Sequence, residues 1–316
     1  MKKLFALLLC PLALSAQTWP SKPIRIVVPF APGGTSEIVA RSVAAELTKQ
    51  LGQSVIVDNK PGAAGVIAMQ EVQKSPADGH TLILGHVGTL AVNPTMLPNQ
   101  PYDVNRDFAP ITLLAKVPNV FMIHPDVPAK DFKSFIAYAK ANPGKLSYGS
   151  AGNASSGHLS MEYLKLVAGI DLQHIPYRGT GPQMTDLISG RIHAGATGLP
   201  AVIGHIQTNK LRPIAVGSSH RATSLPNVPT VAESGFKDFE TSQWYGLLAP
   251  AGTPAAIIKR LQEESAKALK SSAITEKFAK DDAVTGGMSA ADFTAFIRSE
   301  QKIWSEIVKK AKIQAD

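Results

Sequence analysis

The chain has 316 residues, 44% of them hydrophobic and 18% charged, with one cysteine and a formal net charge of +8. That length exceeds what one ordinary core holds and predicts two lobes. Lys and Arg are spread along the chain, and the one dense run, Lys309, Lys310 and Lys312, falls where cations suit a helix C-terminus. That spread argues against nucleic-acid binding despite the basic balance, which supplies a modest field that gathers anions.

In chain order, Lys2 and Lys3 precede an apolar run over 4–14 that only Pro11 interrupts, and Ser15-Ala16 follows with small residues. This pattern predicts an export signal over 1–16, cleaved near Ala16. The run is too short for a stable membrane anchor. Leu9 stands where a lipid-attachment signal before Cys10 needs a small residue, so no lipid anchor is expected. Cleavage removes the only cysteine, and with it any disulfide or thiolate metal site. A periplasmic protein is the expectation.

The β-branched run 24–28 predicts the first strand. Val39, Val43, Leu47 and Leu51 repeat every four residues and form one helix face, which Gly52 ends. A strand over 54–57, a helix over 63–74 and a strand over 81–85 complete a β-α-β-α-β run, the pattern of a parallel sheet with helices on its faces. Strands follow at 111–114 and 120–123, separated by Lys116, Val117 and Pro118. A helix over 132–141 stops at Asn142-Pro143-Gly144, and a strand follows at 146–149. Leu159, Tyr163, Leu166 and Val167 mark the next helix face. Strands at 172–177, 194–197 and 211–216 enclose a helix at 181–189. In the tail, a strand over 244–250 enters a helix with Thr253 as its N-cap and Pro254 in its first position, and Ile257, Leu261 and Leu269 mark its face. Helices over 272–280 and 290–310 end the chain. The central block reads as a second α/β lobe inserted into the first: 17–118 and 240–316 form lobe 1, 119–239 form lobe 2, and two chain crossings make a hinge.

Two loops carry the functional signal. Pro29-Phe30-Ala31-Pro32-Gly33-Gly34-Thr35-Ser36-Glu37 and the run from Tyr148 through Ser150, Asn153, Ser155 and Ser156 to His158 each follow a strand and open a helix. Such loops aim backbone N–H groups and small hydroxyls at an anion, a carboxylate or a phosphate. Turn chemistry alone offers another account of the first loop, with Thr35 or Ser36 as a plain N-cap and Glu37 favouring the helix dipole. Tyr177-Arg178-Gly179-Thr180-Gly181 is a third strand-to-helix junction, where Arg178 either grips a carboxylate or stands in solvent. His86 and Thr89 follow the third strand and should share the sheet edge of the first loop, where His86 either reaches a ligand or is a capped or solvated loop histidine. Trp244 and Tyr245 either flank a cleft or pack in the core. No nucleophile elbow, zinc-protease helix, phosphate-binding P-loop or complete dinucleotide fingerprint is present. The proximity of His158 to Ser155 and Ser156 is weak evidence for a nucleophile and base. None of the eight histidines shows metal-ligand spacing, and no metal or cofactor is expected.

The opening Trp19-Pro20-Ser21-Lys22-Pro23-Ile24-Arg25 through Gly34 resembles that of the tripartite tricarboxylate transporter receptors, the Bug-type periplasmic binding proteins. Asn59-Lys60-Pro61-Gly62-Ala63-Ala64-Gly65, Pro76-Ala77-Asp78-Gly79-His80-Thr81-Leu82, the second loop, Tyr177-Arg178-Gly179 and Ala249-Pro250-Ala251-Gly252-Thr253-Pro254 continue the resemblance in order over the whole mature chain. It implies an α/β, two-lobed periplasmic binding protein fold (type II-like), a monomer without catalysis. Such a protein captures a small organic acid and delivers it to a membrane permease of one large and one small subunit. It also implies that Phe30, Gly34, Thr35 and Ser36 of lobe 1, with Ser150, Asn153, Ser155, Ser156 and Thr180 of lobe 2, hold carboxylates, partly through water. Glu37 stands where many relatives of this kind carry Asp. Two other readings use the same features: a periplasmic sensor that presents its closed form to a signalling partner, and an exported α/β hydrolase.

Overall fold

Strand β1 (Ile24–Val28) lies between β2 (Val55–Asn59) and β3 (Thr81–His86), parallel to both. Helices α1 (Thr35–Leu51) and α2 (Val66–Gln73) connect them. The computed structural model describes residues 19–314, so the expected export signal lies outside the described residues. Short helices α3 (Asn93–Met96) and α4 (Val104–Asp107) lead into β4 (Phe108–Ile123). The central block contains α5 (Phe132–Ala141), β5 (Ser147–Ser150), α6 (Ser156–Ala168), β6 (Gln173–Pro176), α7 (Thr180–Ile188), β7 (Ala194–Gly198), α8 (Ile203–Gln207) and β8 (Arg212–Val216). The chain then returns through β9 (Ser242–Pro250), α9 (Ala255–Ala268), α10 (Ser272–Lys280), β10 (Val284–Thr285) and α11 (Ala290–Ala311).

The strands run in the order β2-β1-β3-β9-β4-β7-β5-β6, with β8 and β10 also paired to β4. Four hydrophobic clusters divide between the two ends of this path. Two take their strand residues from β1, β2, β3, β9 and the first part of β4, and Leu47 and Phe278 are buried there. The other two take theirs from the end of β4 and from β5, β7 and β8, around Phe121, Phe135 and Leu187. Burying each such side chain contributes roughly 1.5–3 kcal/mol. In both halves the parallel strands β1, β5 and β6 end in the loops that open α1, α6 and α7, so three helix N-termini meet at carboxyl ends of strands.

Several local expectations need correction. Residues 111–114 and 120–123 belong to one strand, β4, 16 residues long, which pairs with β9 up to Pro118↔Ser242 and with β7 and β8 beyond. Pro118 stands where the strand changes partners, so its missing N–H costs least there. The expected helix over 63–74 is a short 3-10 turn followed by α2, because Gly65 adopts φ 84 between them. Thr253 is not the N-cap of α9: its hydroxyl donates to Pro250 O at 2.8 Å, and Pro254 takes the cap position without a side-chain bond. On α6, Leu159 is buried as expected, but its buried companions are Met161, Leu164 and Ala168, while Leu166 and Val167 face solvent at 45% and 37% exposure.

Candidate functional site

The first loop is shaped by Glu37 and Asn59. The Glu37 carboxylate accepts the Gly33 N–H at 2.7 Å and pairs with Arg41. Burial alone raises the carboxyl pKa, but these two partners outweigh it and hold the group below its ordinary range. Asn59 Nδ2 donates to Phe30 O at 2.9 Å. Gly34 is the N-cap of α1 and makes no side-chain bond, so Thr35 and Ser36 are not caps. Both are buried at the helix start, and Thr35 Oγ1 donates to Gly198 O on β7 at 3.4 Å.

Across the cleft, Ser155 caps α6 by accepting the His158 N–H at 3.3 Å. Ser156 occupies the first turn, and its hydroxyl accepts from Asn119 Nδ2 at 2.6 Å. Thr180 opens α7, with its hydroxyl 3.4 Å from that of Thr197. The two sides touch directly. Ala31 N–H donates to Arg178 O at 3.0 Å, and a Cβ placed on Gly34 would lie 3.0 Å from Thr180 Oγ1.

These elements enclose an inner cavity of ≈ 20 Å³, room for a small end group. Phe30, Thr35, Ser36, His86, Ser155, Ser156 and Thr180 all line it, as their positions in sequence predict. Ala151, Gly157, Thr197, Gln243 and Tyr245 complete the lining; Ala151 and Gly157 belong to the second loop and Tyr245 is the cleft candidate on β9, whereas no local signal marks Thr197 or Gln243. Gln243 and Tyr245 come from β9, and Tyr245 donates its hydroxyl to Gln243 Oε1. Gln243 Nε2 donates to Asn119 Oδ1 at 3.0 Å, so a buried polar chain links Tyr245 of one half to Ser156 of the other. Trp244, the neighbour of Tyr245, is a core residue whose indole N–H donates to Glu300.

The remaining predicted residues stand around the cavity. Thr89 holds His86: its backbone N–H donates to His86 Nδ1 at 3.1 Å and its hydroxyl accepts the His86 N–H at 3.1 Å. Ser150 Oγ accepts the Gly152 N–H and meets His174 Nε2 at 2.7 Å, inside the second loop. Asn153, Tyr177 and Arg178 border an outer chamber of ≈ 460 Å³, whose wall shares Phe30 and Ala151 with the inner cavity. The Tyr177 hydroxyl donates to Asp186 at 2.8 Å, and burial with that bond raises its pKa to about 12. His158 forms no hydrogen bond to the hydroxyl of Ser155 or Ser156 among the described residues; its Nδ1 accepts the Ala154 N–H and its ring stacks on His174 at 4.3 Å. The arrangement lacks the contact a nucleophile and base require.

The inner lining contains no Asp, Glu, Lys or Arg. An anion there meets helix N-termini and neutral donors, both of which favour negative charge. Burial holds the His86 imidazole down at about 3, and His158 is held at about 3 by burial, with His174 and Lys165 adding to the effect. Both rings are neutral at physiological pH, and in the unfolded chain each titrates near 6.5. With folded pKa values below unfolded ones, this contribution to stability is full above pH 6.5 and is lost as pH falls from 6.5 toward 3. Each ring costs up to about 1.4 kcal/mol per pH unit in that window. Urea unfolding is expected to weaken from pH 6.5 to 4.5, and His86→Gln should make the slope shallower by about one proton. An unchanged slope in that variant would contradict a neutral buried His86.

A two-halved α/β protein whose strands deliver three helix N-termini into one closed cleft is a two-lobed periplasmic binding protein. Sequence likeness narrows the class: residues 39–313 match the model of the "Tripartite tricarboxylate transporter family receptor". The chain belongs to that family. Protein BugT of Bordetella pertussis is 38% identical over 298 residues, covering 94% of this chain and 91% of BugT. An R. palustris protein solved with adipate is 36% identical, with a TM-score of 0.91 over 94% of this chain and 100% of that one. MatC from Rhodopseudomonas palustris, solved with bound malate, is 30% identical, with a TM-score of 0.88 over 92% and 100%.

Proposed function

We propose that this protein is an exported receptor that encloses the carboxylate of a small organic acid between its lobes and delivers it to a membrane permease of one large and one small subunit. The observation that carries this reading is the convergence of the N-termini of α1, α6 and α7 on a buried cavity ringed by hydroxyls and free, among the described residues, of Asp and Glu. A helix N-terminus favours an anion, and three of them supply the stabilisation that a missing cation would otherwise provide. The adipate and malate complexes of relatives support a carboxylate as the guest. In this reading Phe30, Gly34, Thr35, Ser36 and His86 grip from lobe 1, with Glu37 and Thr89 bracing them. Ser155, Ser156 and Thr180 grip from lobe 2, braced by Ser150, and Asn153, Tyr177 and Arg178 border the path to solvent.

Lobe 1 comprises 17–118 and 240–316, and lobe 2 comprises 119–239. The division of the hydrophobic clusters supports these bounds, although Ala154 and Leu159 of lobe 2 pack against the lobe 1 side. The protein acts in the periplasm as a monomer after cleavage near Ala16, and it binds its acid without transforming it.

The reading demands that the ligand bind as an anion. A methyl ester or an amide loses a charge-assisted acceptor, and its affinity is expected to fall about tenfold or more. Titration calorimetry with an acid and its ester measures this, and equal affinities would rule out capture by helix N-termini. Small-angle scattering should show a smaller radius of gyration with acid present, because only the closed form makes both sets of contacts.

A further inference from the structure

We propose that His86 selects the end group of the ligand, donating its Nε2–H to one oxygen of the enclosed carboxylate. The assignment rests on the carboxylate reading above and adds the residue that reads the group. His86 is 3% exposed and lines the inner cavity. Its Nε2 is buried and has no partner in the protein among the described residues. The other ring nitrogen is committed, since Nδ1 accepts the Thr89 N–H at 3.1 Å. A ring that accepts at Nδ1 and is neutral carries its proton on Nε2. Phe30 packs against the imidazole with ring centroids 4.6 Å apart at 74°, and Thr89 clamps it from the other edge.

A buried donor without an acceptor is costly, and an incoming oxygen removes that cost. The selection is therefore one of hydrogen-bond sense. A carboxylate presents acceptors on both oxygens to a ring of donors. A carboxamide turns an N–H toward one of them. A phosphonate dianion brings a second charge into a lining that holds no Lys or Arg. The inner space admits a small end group only, so the rest of the ligand leaves past Phe30 into the outer chamber, whose walls include Pro29, Pro61, Ile67 and Tyr177. The structure thus assigns the inner subsite to an unblocked carboxylate monoanion on a tail that reaches the outer chamber.

Nitrogen-15 NMR of the imidazoles in the full mature chain, recorded above the second pKa of methylphosphonate so that it is a dianion, tests this with acetate, acetamide and methylphosphonate as probes. Acetate is expected to shift the His86 Nε2 resonance saturably, and the other two at equal concentration to leave it in place. His86→Phe should weaken acetate binding about tenfold or more, and His86→Gln, whose amide N–H can replace Nε2–H, should recover it to within about threefold. A proton found on Nδ1, or wild-type acetate affinity in His86→Phe, overturns the proposal. If acetate moves the backbone amides of Thr35 and Ser156 but not His86 Nε2, the carboxylate reading stands and the selector role falls. If acetate moves nothing in the cleft, both fall.

Discussion

Gly88→Ala is expected to keep the lobes from meeting and to weaken ligand capture by about a hundredfold or more, while the ligand-free protein remains folded. Gly88 follows β3, and Ala154 belongs to the loop before α6. A Cβ on Gly88 would lie 2.0 Å from Ala154 O and 2.8 Å from His86 Cε1. Neither the backbone oxygen nor the clamped ring moves aside while the cleft is shut, but separation of the lobes relieves the contact with Ala154. The contact with Ala154 makes the substitution act on closure, while the contact with His86 lies within lobe 1 and persists when the lobes separate. Gly157→Ala provides the contrast: its Cβ would meet Ala196 O at 2.1 Å, and both residues sit in the inserted half, on α6 and β7. That clash persists in every state and should lower the melting temperature without ligand. Scattering and calorimetry on the two variants separate the cases. A Gly88→Ala protein that compacts normally on binding would refute the account of the seam.

Asn119→Ala is expected to cost about 2–4 kcal/mol of unfolding free energy, with a fall of several degrees in melting temperature. Asn119 is fully buried on β4, where the strand passes from one half to the other. Its amide donates to Ser156 Oγ at 2.6 Å and Ser160 Oγ at 2.9 Å, and its oxygen accepts from Gln243 at 3.0 Å. Truncation strands the Gln243 amide and loosens two hydroxyls in a region closed to water. Because Ser156 lines the cavity, affinity should fall together with stability. Urea unfolding that changes by less than about 0.5 kcal/mol would show that the polar chain contributes little.

The parts of this architecture written in local signals were legible in the sequence. The β-branched run at 24–28 and the four-residue spacing of Val39, Val43 and Leu47 report nearest-neighbour preferences, and the structure contains both elements. The cavity residues Thr35, Ser36, Ser155, Ser156 and Thr180 were readable because each sits where a strand becomes a helix. What local reading misses depends on distant partners. Pro118 looks like a break, yet β4 continues because its neighbours change at that point. Leu166 and Val167 look like core residues, but α6 turns Met161 and Leu164 inward instead. Gln243 and Asn119 look like incidental polar residues within strands. Their purpose appears only once β9 and β4 lie side by side and bring them within 3.0 Å of each other. The Thr35 and Ser36 hydroxyls had two readings, as caps or as ligand contacts, and only the cap geometry of Gly34 removes the first.

The chain passes between the halves on two strands, β4 and β9, which run as hydrogen-bonded neighbours within lobe 1 from Phe108↔Pro250 to Pro118↔Ser242, up to the crossing. A joint of this kind behaves as a flexure and not as a swivel. The ladder holds the two strands in register up to the crossing, which leaves bending and twisting beyond it as the soft directions. In the proposed receptor the cleft faces then close along one path, with Ala31 meeting Arg178 and Gly88 meeting Ala154 as they do here. A guest too large for the inner space would meet the same walls at the same point of travel, so in the proposed receptor the joint works as a gauge of ligand size.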